Sequence, residues 1–84
     1  LHSATILSIE DNLLIRKAIT SYLENLGHTV FQAEDGEEGL DIFRRKSPDA
    51  VLTDLRLPKL DGMTVLSAIR NESPDTPIII ISGM

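Results

Sequence analysis

Cysteine is absent from all 84 residues, so neither a disulfide framework nor a thiolate metal site can organise this chain. No apolar stretch approaches the roughly 18 residues needed to span a bilayer, and the first residues lack a signal-peptide profile. Positive charge is scarce: 8 Lys and Arg stand against 13 Asp and Glu, for a formal net charge of −5. A domain of that sign repels phosphate backbones, so no direct nucleic-acid contact by this segment is expected; without a long apolar stretch, no membrane contact is expected either. Internal repeats, low-complexity tracts and linkers are also missing. A cytoplasmic location is the default expectation. The start, Leu1-His2-Ser3, carries no initiator Met and is expected to be an internal cut.

What is there suffices for one small domain. Hydrophobic residues make up 42% and charged residues 25%, too apolar a balance for disorder. Apolar runs alternate with stretches of helical spacing. Ala4 to Ile9 reads as a strand, Asn12 to Leu26 as a helix stopped by Gly27, and Thr29 to Ala33 as a second strand. Asp35, with Glu38 three places on, has capping-box spacing for a helix that ends at Lys46-Ser47-Pro48. Ala50 to Thr53 is a third strand, flanked by Asp49 and Asp54. Leu55 to Leu60 forms a loop, and Asp61 caps a helix running to about Asn71. After a turn at residues 73–77, Ile78 to Ile81 is a fourth strand of β-branched residues. On the first helix, Ile15, Ile19, Tyr22, Leu23 and Leu26 make a stripe assigned to the core. His2 and His28 have no metal spacing and are expected to face solvent.

Continuous apolar strands separated by helices predict an α/β parallel sheet covered on both faces, flavodoxin-like, in the order 2-1-3-4. All 84 residues then form a single partial domain that stops on a strand. Four strands and three helices cannot cover both faces evenly, so the expectation is a fragment lacking its C-terminal elements, or one completed by a partner. The exposed fourth strand would be an edge that invites pairing, including homodimer formation.

Ligands of open parallel sheets bind beyond the carboxyl ends of the strands. Glu10 and Asp11 close the first strand, Asp54 the third and Ser82 the fourth. Three acids gathered without a base coexist at neutral pH only if a cation neutralises them or one stays protonated. Magnesium takes one or two carboxylates together with phosphate oxygens. A magnesium-assisted phosphoryl site on Asp54 therefore explains the arrangement best.

Ile6-Leu7-Ser8-Ile9-Glu10-Asp11, Ala33-Glu34-Asp35-Gly36 and Pro48-Asp49-Ala50-Val51-Leu52-Thr53-Asp54-Leu55 form an ordered set. Leu57-Pro58, Leu60-Asp61-Gly62 and Pro77 through Gly83 complete it. With these segments the chain resembles the receiver domain of two-component response regulators from Ile6 to Gly83. The resemblance implies that Asp54 is the phosphoacceptor, that Asp11 binds Mg2+ directly, and that Glu10 acts mainly through a coordinated water. It implies a further ligand from the backbone carbonyl of Arg56, and a switch hydroxyl on Ser82 followed by the small Gly83. It also implies a sensor histidine kinase or phosphotransfer protein as partner, and a phosphoacceptor signalling domain rather than an enzyme. The resemblance implies that the chain lacks the family's last strand and last two helices; receivers pair the phosphate with a Lys after that fifth strand, and Lys46 and Lys59 are not substitutes by position.

Two other classes compete. An aspartyl-nucleophile phosphohydrolase wants Asp-x-Asp, whereas Asp54-Leu55-Arg56 has Arg at the third place. A pseudo-receiver acting only as an interaction module would not need the retained acids. Asp61 on its own reads as a helix cap rather than a ligand.

Overall fold

The computed structural model describes residues 3–57 and 59–81. Seven elements alternate along it: β1 (Thr5–Ile9), α1 (Leu13–Asn25), β2 (Thr29–Ala33), α2 (Gly36–Lys46), β3 (Ala50–Asp54), α3 (Gly62–Glu72) and β4 (Ile78–Ile81). Each helix starts on a side chain able to satisfy a free N–H. The Asn12 side-chain Oδ1 accepts from the Ile15 N–H at 3.0 Å, the Asp35 carboxylate from the Glu38 N–H at 2.8 Å, and the Asp61 carboxylate from the Thr64 N–H at 2.9 Å. The capping box is reciprocal in spirit but shifted by one residue: Glu38 Oε1 accepts from the N–H of Glu34 rather than of Asp35. α1 runs into Gly27 at φ +97°, and α2 ends on Ser47 in the left-handed region.

The sheet is parallel, in the order β2-β1-β3-β4. Crossover helices force that topology, because parallel neighbours cannot be joined by a tight turn. Pairing reaches one residue further than the apolar run suggests. Asp54 is itself the last residue of β3 and lies opposite Ile81. Its side chain therefore leaves from a strand and not from a mobile turn.

One face of the sheet carries the main core. Leu7 and Ile9 of β1, Ala33 of β2 and Val51 of β3 pack with Leu40 and Phe43 of α2 and with Val65 and Ile69 of α3. Burying each of the larger side chains is worth about 1.5–3 kcal/mol, so this layer is the main source of stability. α1 contributes nothing to it and packs against β1 and β2 from the other side.

Here the expected core stripe of α1 needs correction. Ile15, Tyr22 and Leu26 are 44%, 66% and 58% exposed, while Ile19 and Leu23 are half-buried and Thr20 is buried. The sheet-facing line runs through Arg16, Ile19, Thr20 and Leu23. A stripe of that width turns only one flank toward the sheet, and among the described residues no second helix covers the other. His28 also departs from expectation: it is half-buried, and its Nδ1 accepts the N–H of Ala4 at 3.1 Å. His2 lies outside the described residues. β4 ends the described sheet, with Ile79 and Ile80 exposed. No described helix is long and apolar enough to cross a membrane.

Candidate functional site

The carboxyl ends of β1 and β3 are neighbours because Ile9 pairs with Thr53. The next residues along, Glu10 and Asp54, thus meet Asp11 at one end of the sheet. One carboxylate oxygen from each of Glu10, Asp11 and Asp54 lies within 4.8 Å of the other two. Glu10 is buried, Asp54 half-buried and Asp11 exposed, so the cluster grades from core to solvent.

Backbone contacts hold Glu10 and Asp54 in place. The N–H of Glu10 donates to the Ala33 carbonyl at 3.0 Å, extending the β1–β2 ladder by a residue. Glu10 Oε2 accepts from the Asn12 N–H at 3.0 Å, which turns the chain into α1. Asp54 Oδ1 accepts from the Arg56 N–H at 3.0 Å, fixing the start of the loop after β3. Burial pushes the Glu10 carboxyl above the ordinary glutamate range. The Asn12 N–H opposes this, while a hydrogen bond with Asp11 and the charges of Asp54 and Asp11 reinforce it. Three hard oxygen donors held this close, one of them partly desolvated, suit a small divalent cation such as Mg2+.

The Arg56 backbone stands beside Asp54 through the bond just described. Asp61 is outside the acidic cluster and caps α3; the N–H of Thr64 holds its carboxyl below the usual aspartate range. Ser82, Gly83 and Pro58 lie outside the described residues.

Arg16 and Gly62 play parts in the site that the sequence did not assign to them. Arg16 Nη1 donates to the Glu10 carbonyl at 2.8 Å, bracing the loop between β1 and α1. Its position one turn into α1 is the only signal, and a charged residue there reads as solvated surface. Gly62 lets α3 approach the end of β3. A β-carbon at this position would collide with the Asp54 carbonyl oxygen and come within 2.6 Å of Leu55 Cα. The Gly62 N–H donates to the Leu55 carbonyl at 3.1 Å, tying the two together.

Known proteins are similar to this chain in sequence and in fold. A sequence model of the family described as the response regulator receiver domain matches residues 6–84. "Probable transcriptional regulator ycf27" of Porphyridium aerugineum is 44% identical over 79 residues, covering 94% of this chain and 32% of the relative. The crystal structure of a response regulator receiver domain protein from Clostridium thermocellum superposes with a TM-score of 0.89 at 40% identity, over 95% of this chain and 65% of that one. NtrX from Brucella abortus gives a TM-score of 0.93 at 30% identity, over 99% of this chain and 20% of that one. The chain spans about a third of the length of the curated relatives it matches. With its strand order and acidic cluster, it belongs to the response regulator receiver domain family.

Proposed function

We propose that this chain is the phosphoacceptor part of a phosphorelay protein, with Asp54 as the residue that takes the phosphoryl group. The observation that carries this reading is the convergence of Glu10, Asp11 and Asp54 at one sheet end. An oxygen of the Asp54 carboxylate attacks phosphorus on a phosphohistidine or a small acyl phosphate. The bond from phosphorus to the donor breaks, and the donor leaves with the bonding electron pair. Asp54 becomes an acyl phosphate, and its local charge grows by roughly −1.

Glu10, Asp11, Asp54 and the Arg56 carbonyl are the groups that would hold Mg2+, Glu10 mainly through water. The cation supplies charge neutralisation for the approaching phosphodonor. Asp54, at the end of a paired strand, presents its carboxylate in a fixed direction. Glu10 and Asp11 lie close to it, and its half-buried position leaves a path for a donor. The hydroxyl of Ser82 is assigned the switch role, reading the phosphoryl group by hydrogen bonding. A sensor histidine kinase or phosphotransfer protein is the matching partner. Pairing of a second copy along β4 is the accompanying association proposal, and sedimentation that stays monomeric at high concentration dismisses it.

The test is uptake of the phosphoryl group from acetyl phosphate, with beryllofluoride binding in parallel, in the full-length protein. Both should require Mg2+, and Asp54→Ala should abolish phosphorylation. No uptake by the wild type, or undiminished uptake by Asp54→Ala, rejects the assignment.

A further inference from the structure

The loop between β3 and α3 leaves Asp54, passes Arg56 and turns back at Lys59, which adopts φ +66°. A β-carbon disfavours that left-handed conformation, and glycine is the residue that takes it without strain. Lysine stands there instead, and its Nζ lies 3.5 Å from Asp35 Oδ2. Asp35 is 7% exposed, and its other oxygen caps α2 through the Glu38 N–H at 2.8 Å. The neighbouring backbones touch as well. A β-carbon on Gly36 would collide with the Leu60 carbonyl oxygen and stand 2.9 Å from its carbon. Leu57 and Leu60 pack partly on the core below.

We propose that Lys59 and Asp35 form a latch that holds the loop after β3 onto the N-terminus of α2. Lys59 is thereby a positioning residue for the Arg56 backbone and the Asp54 carboxylate. Its importance for the metal rests on the function proposed above; the mechanical link does not. Three contacts converge on one loop of seven residues, Leu55 to Asp61: the ion pair, the Gly36–Leu60 backbone contact and the Gly62–Leu55 hydrogen bond. Only the first depends on side-chain charge. Without the amine, the nearly buried Asp35 oxygen loses its counter-charge, and the loop loses the tether nearest its left-handed turn. Glu34, Glu37 and Asp41 line the same groove, so the amine has other acids within the neighbourhood. The experiment must therefore isolate Asp35.

A double-mutant cycle of Lys59→Met and Asp35→Asn does so in the full-length protein. Met keeps the length of the side chain, and Asn remains a good helix cap while removing the charge. The primary readout is amide hydrogen exchange at Leu55, Arg56 and Leu57, with Mg2+ affinity followed by amide shifts in the same samples. Each single variant should exchange roughly two- to five-fold faster at these amides and weaken Mg2+ by a similar factor, the range of a partly exposed ion pair. The double variant should add little to either, Lys59→Arg should restore wild-type exchange, and high salt should erase the differences. Additive effects of the two changes, or wild-type exchange in Lys59→Met, overturn the latch. Phosphoryl uptake by the wild type is measured separately. Its failure removes the functional assignment while the exchange cycle still decides the mechanical link.

Discussion

Gly62→Ala should destabilise this protein even though alanine is the better helix former. Gly62 is the first residue of α3 and is buried, and its φ is not positive, so the backbone itself would accept alanine. Ordinarily that exchange stabilises a helix by about 0.5–1 kcal/mol, less at the first position. Here the added carbon meets two backbone groups, the Asp54 carbonyl oxygen and Leu55 Cα at 2.6 Å. Backbone of a paired strand cannot swing aside as a side-chain tip can. Overpacking of this kind costs typically about 1–3 kcal/mol, so the net effect should be a loss of about 1–2 kcal/mol.

Gly39→Ala is the matched comparison. There the new carbon meets the far end of Ile9, contacting its Cδ1 and lying 2.9 Å from Cγ1. A rotamer change can relieve that contact, and the interior helix position returns up to about 1 kcal/mol. Its net effect should be within about 1 kcal/mol of zero. Urea unfolding of both variants, read by far-UV circular dichroism, measures the two values. Gly62→Ala should also weaken Mg2+ binding, because relief of the clash displaces the Asp54 backbone. A Gly62→Ala variant more stable than wild type would refute the idea that α3 is docked on the end of β3.

Two further changes test the opposite face and the acidic cluster. The Thr20 hydroxyl is buried between α1 and the sheet with no hydrogen-bond partner among the described residues, so the near-isosteric Thr20→Val should stabilise by about 1 kcal/mol in thermal unfolding; a loss of that size would mean the hydroxyl is satisfied, for instance by water. Glu10 binds its proton more tightly folded than unfolded, so it favours folding at low pH, and metal-free stability should decline as pH rises from the ordinary glutamate range through its raised value. Glu10→Gln should flatten that decline while weakening Mg2+ binding, and unchanged pH dependence by urea titration would exclude Glu10 as the cause.

Most of the fold was legible because local signals agreed with one another. The run Ile78 to Ile81, the Asp35 and Asp61 caps and the apolar strand Thr29 to Ala33 each specify an element without reference to the rest. Periodicity was a poorer guide to α1. Ile15, Tyr22 and Leu26 fall on a helical stripe, yet the stripe does not say which flank meets the sheet. Burial depends on which neighbours are present, and spacing along one helix carries no record of them.

The same division runs through the site. Residue order alone placed Glu10, Asp11 and Asp54 at strand ends, and parallel topology then required those ends to share one side of the sheet. Only the tertiary structure decided that Asp54 belongs to β3 itself, that Glu10 is buried while Asp11 is not, and that Arg16, Gly62 and Lys59 brace the surrounding loops. These contacts join residues distant in sequence, as in Lys59 to Asp35 across the β3–α3 loop and the start of α2. Their strength comes from distance and desolvation, quantities that exist only once the chain has folded.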